Sequence, residues 1–183
     1  MVGAIAVLLV VVLLVGGLTR SCTFAPTGPT VDPDAAPVVD APAELRRLAT
    51  ALPFPLRVPA VPADWRANAA DRVTLPGGGL AVRVGYLTPA GRYVRLVQSD
   101  APEETLLAAE TGDEPAVAQG PVDVGGRQWV GYTGPGRRAE PIWVTELPGP
   151  PAVRMLVTGS GEDADLRTLA TAAVSGEPVA APR

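Results

Sequence analysis

Few side chains in this sequence can do chemistry, and their identities narrow the field at once. The fifteen cations are all Arg, with neither Lys nor His, and Cys22 is the one cysteine. A His-based nucleophile–base pair, a Schiff-base lysine and an imidazole metal site are thereby excluded. A single thiol also excludes an intrachain disulfide and a cysteine zinc cluster. Carboxylates are left as the groups able to move a proton, as a facing pair does in a glycosidase. The nineteen Asp and Glu show no calcium-loop spacing. No catalytic residue, metal or cofactor is expected, and a net charge of -4 gives nucleic acid no footing.

Two glycine motifs need weighing. Gly159-Ser160-Gly161-Glu162-Asp163-Ala164 has the outline of a dinucleotide fingerprint between a strand and a helix. A phosphate needs bare amides at the helix start, whereas Glu162, Asp163 and Asp165 bring three negative charges there. They read as partners of the helix dipole instead. Pro76-Gly77-Gly78-Gly79 lacks the Gly-Lys-Ser/Thr ending of a phosphate loop and reads as a turn.

Charge is segregated along the chain. Leu45 to Arg95 holds eight Arg against Asp64 and Asp71, while Asp100 to Asp123 holds seven acids and no Arg. This predicts that an acidic helix lies against Arg83 and Arg95 and pairs with them, each surface pair contributing at most ~1 kcal/mol. The functional alternative is an anion or partner site centred on Arg83 and Arg95. Trp129, Tyr132 and Trp143 are the candidate stacking shelf for a sugar, against the alternative that such aromatics are core.

The elements that must position these residues follow from periodicity. Asp40 caps a short helix with Leu45, Leu48, Ala49 and Leu52 on one stripe. Leu52 to Pro62, with four prolines, reads as an extended edge segment. Trp65 to Leu75 is a strand, and Leu80 to Thr88 with Arg92 to Ser99 form a hairpin. Its Pro89-Ala90-Gly91 loop pairs Thr88 with Arg92. Val82, Val84 and Tyr86 then share the core face with Val94 and Leu96, and Arg83, Gly85, Tyr93 and Arg95 take the other. Ser99-Asp100 with Glu103 signals a helix capped there and running to Thr111. A second hairpin spans Pro121 to Thr133 around Gly125-Gly126; strands at Pro141 to Leu147 and Ala152 to Thr158 and a helix from Glu162 to Val174 complete the series. Short hairpin connections imply an α+β domain, a small antiparallel sheet with packed helices.

Outside the domain, Val2 to Leu18 is a run of seventeen uncharged residues. It spans roughly 25 Å as a helix, and Arg20 extends its reach by snorkelling. The run reads as a transmembrane helix in the lipid bilayer. Arg20 stands where a lipobox has a small residue, which argues against lipidation of Cys22. Prolines 26, 29, 33, 37 and 42 make the following stretch an extended spacer. The expected organisation is an anchor at 1–20, a spacer at 21–40, an extracytoplasmic domain at 41–176 and a flexible tail at 177–183.

Four segments in order carry a resemblance. They are Val61-Pro62-Ala63-Asp64-Trp65-Arg66, Gly85 through Val94, Val124-Gly125-Gly126-Arg127-Gln128-Trp129, and Leu156-Val157-Thr158-Gly159-Ser160. Their order and spacing resemble an actinobacterial family of single-pass, membrane-anchored proteins, domain-of-unknown-function family 4245. This chain has Val97-Gln98-Ser99 after the tyrosine hairpin where the family has a longer polar strand. The resemblance implies the architecture and brings no activity. The leading expectation is a non-catalytic module at the cell membrane that binds an envelope protein or glycan outside the cytoplasm. The alternatives are a carboxylate-dependent hydrolase of envelope glycans, and a structural subunit of a membrane complex.

Overall fold

The computed structural model describes residues 37–180, apart from 113, 137 and 138. The expected anchor and most of the spacer lie outside the described residues. Among the described residues no helix is long and apolar enough to cross a membrane.

Helix α1 (Ala41–Ala49) starts where Asp40 Oδ1 accepts from the Ala43 amide at 3.0 Å, satisfying one of its free N–H groups. Strand β1 (Leu56–Val58) follows, then β2 (Arg66–Thr74), β3 (Leu80–Leu87) and β4 (Tyr93–Ser99). After α2 (Glu103–Thr111) come β5 (Val117–Val124), β6 (Arg127–Thr133), β7 (Pro141–Leu147) and β8 (Val153–Gly159). Helix α3 (Asp163–Ser175) and β9 (Glu177–Val179) end the series.

Seven strands form one antiparallel sheet in the order β2-β3-β4-β8-β7-β6-β5. Two meanders, β2 to β4 and β5 to β8, meet where β4 lies beside β8. The β3–β4 register is the one that the loop dictates. The Thr88 amide donates to Arg92 O at 2.9 Å, and Gly91 takes φ 70. On one face Val82, Val84, Tyr86, Val94 and Leu96 bury with Trp129, Trp143, Met155 and Val157 beneath α1, β1 and α3. On the other face a smaller cluster of Ala81, Val97, Ile142, Val144 and Leu156 packs under Leu106 of α2. The domain is thus α+β with helices on both faces of an antiparallel sheet.

The Leu52–Pro62 segment does carry an edge strand, but in a separate two-stranded ribbon: β1 pairs with β9, Leu56 opposite Val179. Buried Gln98 holds that ribbon over β4, accepting from the Arg57 amide at 2.7 Å and donating to Arg57 O at 2.9 Å. The tail expected at 177–183 therefore begins as strand. The cap expected at Ser99-Asp100 is absent: α2 has no side-chain cap, and its N-cap is Pro102. Asp100 instead accepts from the Leu80 amide at 2.8 Å, and Ser99 Oγ donates to Leu80 O at 2.8 Å. Both side chains tie the chain to β3 before the helix starts. Strand β5 also begins earlier than expected; Pro121 is tolerated inside it because β5 is a sheet edge.

Candidate binding face around helix α2

Strand alternation sends Arg83 and Arg95 to the α2 face, and α2 meets them with one carboxylate. The Glu110 side chain is 1% exposed; those of Arg83 and Arg95 are 24% and 27% exposed. Glu110 Oε1 accepts from Arg83 Nε at 2.9 Å and lies 2.8 Å from its Nη2. Glu110 Oε2 accepts from Arg95 Nη2. The acidic-helix pairing expected from charge segregation is present, made by one of the seven acids. Two guanidiniums thus converge on one carboxylate beneath the helix.

Around this centre the polar groups are incompletely paired. Arg95 Nε and Asn68 Oδ1 are buried without hydrogen-bond partners. Gly85 makes room for Asn68 and Tyr93: a Cβ there would stand 2.6 Å from Asn68 Oδ1 and 2.7 Å from the Tyr93 hydroxyl. Burial raises the Tyr93 pKa, and neighbouring Arg95 opposes that shift.

Clefts border α2 on several sides. One of about 480 Å³ runs past Glu104, Leu107 and Tyr132. Another of about 580 Å³ includes Arg83 and Ala109. A third, of about 210 Å³, includes Arg95, Glu110, Glu140 and Thr158. Of the α2 residues only Leu106 is fully buried. The helix is held by that plug, by Glu110, and by Glu103, which accepts from the Tyr132 hydroxyl.

The aromatic shelf is not assembled. Trp129 and Trp143 are 0% and 5% exposed, in the core on the α1–α3 face, where Arg167 lies 5.4 Å from the Trp143 ring centroid. Tyr132 sits on the opposite face, beside α2. The fingerprint-like loop uses its own amides: Gly161 N donates to Tyr93 O at 3.2 Å and Glu162 N to Asp165 Oδ2 at 3.0 Å. Glu162 and Asp165 form a capping box for α3. Among the described residues no group of three or more Asp, Glu, His or Cys could hold a metal.

All three tyrosines of the chain have raised pKa values. Burial raises Tyr86 and Tyr93, and the hydrogen bond to Glu103 pushes Tyr132 up to about 12. A folded-state pKa above the unfolded value of about 10 means stability that is whole below pH ~10 and lost as pH rises through the folded pKa. Tyrosinate absorbance is therefore expected to appear together with loss of near-UV circular dichroism. One tyrosine ionising near pH ~10 with the fold intact contradicts the Tyr132–Glu103 bond.

A family model described as Protein of unknown function (DUF4245) matches residues 1–173. No curated protein matches the chain, and no solved structure does.

Proposed function

The chain belongs to this family of unknown function, DUF4245, and from that premise we propose that it is a membrane-anchored, non-catalytic binding module whose domain works outside the cytoplasm. The uncharged run Val2 to Leu18 and the proline-rich spacer after it support the anchor. The observation that carries the binding role is the α2 face, where clefts open around a helix fixed to Arg83 and Arg95 by one buried carboxylate. An envelope protein or glycan is the partner class.

The hydrolase alternative needs one carboxylic acid free to give up a proton and a second facing it. Glu110 and Glu140 border one cleft, but both Glu110 oxygens already accept from guanidinium groups. That arrangement favours binding over proton transfer. A subunit of a membrane complex calls for a broad apolar patch. The exposed large hydrophobics among the described residues are Val38, Val117 and Val130.

The Glu110 contact dictates how the binding role must be tested. Replacing Arg83 and Arg95 by Ala alone strands a buried carboxylate, so loss of binding could reflect loss of fold. The triple variant Arg83→Gln, Arg95→Gln, Glu110→Gln removes all three charges and keeps polar contacts. Chemical crosslinking in native membranes is expected to lose specific adducts in this variant, with thermal unfolding retained. An unchanged adduct pattern overturns the assignment of this face.

A further inference from the structure

We propose that Arg83 and Arg95 form a carboxylate seat that Glu110 fills in the free protein, and that a partner helix takes the place of α2 there. The inference rests on the binding role above and specifies the occupant: a helix of a partner protein with an apolar residue four positions before a glutamate. The imprint of that occupant is α2 itself. Leu106 is 0% exposed, in one cluster with Ala81, Val97 and Leu156, and Glu110 lies on the guanidiniums of β3 and β4. Residues four apart lie on one helix face, so a single helix reads the apolar socket and the seat together.

Glu110 is an imperfect occupant. Arginine holds a carboxylate best with two parallel N–H···O bonds to its two oxygens. Arg83 instead brings Nε and Nη2 to the same oxygen, Oε1, and Arg95 reaches Oε2 through Nη2. Arg95 Nε is left buried without a partner. A carboxylate that accepts from both Nε and Nη2 of Arg95 recovers the missing bond, so an incoming acid has something to gain over the resident one.

The rest of α2 is lightly held. It fully buries Leu106 alone, whereas α3 buries Leu166, Leu169, Ala170, Ala172 and Ala173. It has no side-chain cap. Its other ties are Glu103 on the Tyr132 hydroxyl and Arg83 Nη2, which donates to Ala109 O at 3.5 Å. Clefts of about 480 and 580 Å³ run along it. Elements with so few buried apolar contacts open at free energies well below global unfolding. Lifting α2 bares Arg83, Arg95 and the cluster under Leu106 together, and the partner helix covers them again.

The test adds a fluorescent peptide amide with the sequence of residues 102–112 to the full chain in detergent micelles and reads anisotropy. A second peptide carries the Glu110→Gln change. In the chain, Glu110→Gln weakens the internal occupant, and this variant is expected to bind the first peptide at least about tenfold tighter than the parent does. No such gain is expected for the second peptide, nor in the chain with Arg83→Gln, Arg95→Gln and Glu110→Gln together. Hydrogen exchange of the parent is expected to release the α2 amides well before those of α3. Equal affinities of the parent and Glu110→Gln chains, a gain that survives in the triple variant, or α2 amides as protected as those of α3 overturn the inference. A gain for glucuronate where the peptide shows none assigns the seat to an acidic sugar and overturns the partner helix. If crosslinked adducts in native membranes are lost in the triple variant but the peptide shows no gain, the displacement falls and the broader binding role stands.

Discussion

Glu110→Ala is expected to lower the stability of the domain by about 2–3 kcal/mol, below the ~3–5 kcal/mol for removing one partner of a fully buried ion pair. The carboxylate is 1% exposed, so its loss leaves two guanidiniums facing a void. The arginines are about a quarter exposed, and water reaching them keeps the cost below that of a fully buried pair. For a domain of this size the midpoint of thermal unfolding should fall by roughly 5–10 °C. Glu104→Ala, on the same helix but exposed and unpaired, should stay within about 0.5 kcal/mol of the parent. Adding Arg83→Ala and Arg95→Ala to Glu110→Ala should recover part of the loss, because no unpaired charge is left. Equal effects of Glu110→Ala and Glu104→Ala would remove Glu110 from its place as the tie of α2.

The second large effect is expected at Gly159, where β8 ends against β4. A Cβ there would lie 2.3 Å from Tyr93 O and 2.8 Å from Val94 Cα, both backbone atoms that cannot swing aside. The residue also adopts φ +142, a conformation that L side chains rarely take. Gly159→Ala should therefore cost more than about 4 kcal/mol, or prevent folding. Gly126→Ala separates the two causes, because Gly126 has φ +71 with nothing within 4 Å of a built Cβ. That variant carries conformational strain alone, about 1–2 kcal/mol. Thermal unfolding of the two variants side by side checks this, and equal losses would mean that β8 can draw away from β4 without cost.

The hairpin of β3 and β4 was readable because a three-residue loop and an alternating pattern fix register together. That register alone put Arg83 and Arg95 on one face. Which acid would meet them was not readable. Glu110 lies 27 residues from Arg83 and 15 from Arg95, and all seven acids between Asp100 and Asp123 were equivalent by composition. The β1–β9 ribbon was hidden for another reason: strands of three residues are too short to show a period, and the prolines pointed to an edge. The aromatic grouping had a signal within reach. Trp129 and Tyr132 are an odd number of residues apart on β6, and odd spacing on a strand sends side chains to opposite faces. Fold class follows from local pattern, whereas the α2 clefts depend on how the helix rides over the sheet, which no local pattern carries.

The proposed envelope role requires a domain held outside the cytoplasm by an uncleaved anchor, with its α2 face open to envelope partners. A reporter enzyme active only outside the cytoplasm, fused after Arg183 and assayed in intact cells with membrane fractionation, tests it most directly. Full activity is expected, with the intact fusion in the membrane fraction. An inactive fusion that is present at full length places the domain on the cytoplasmic side and contradicts the envelope role.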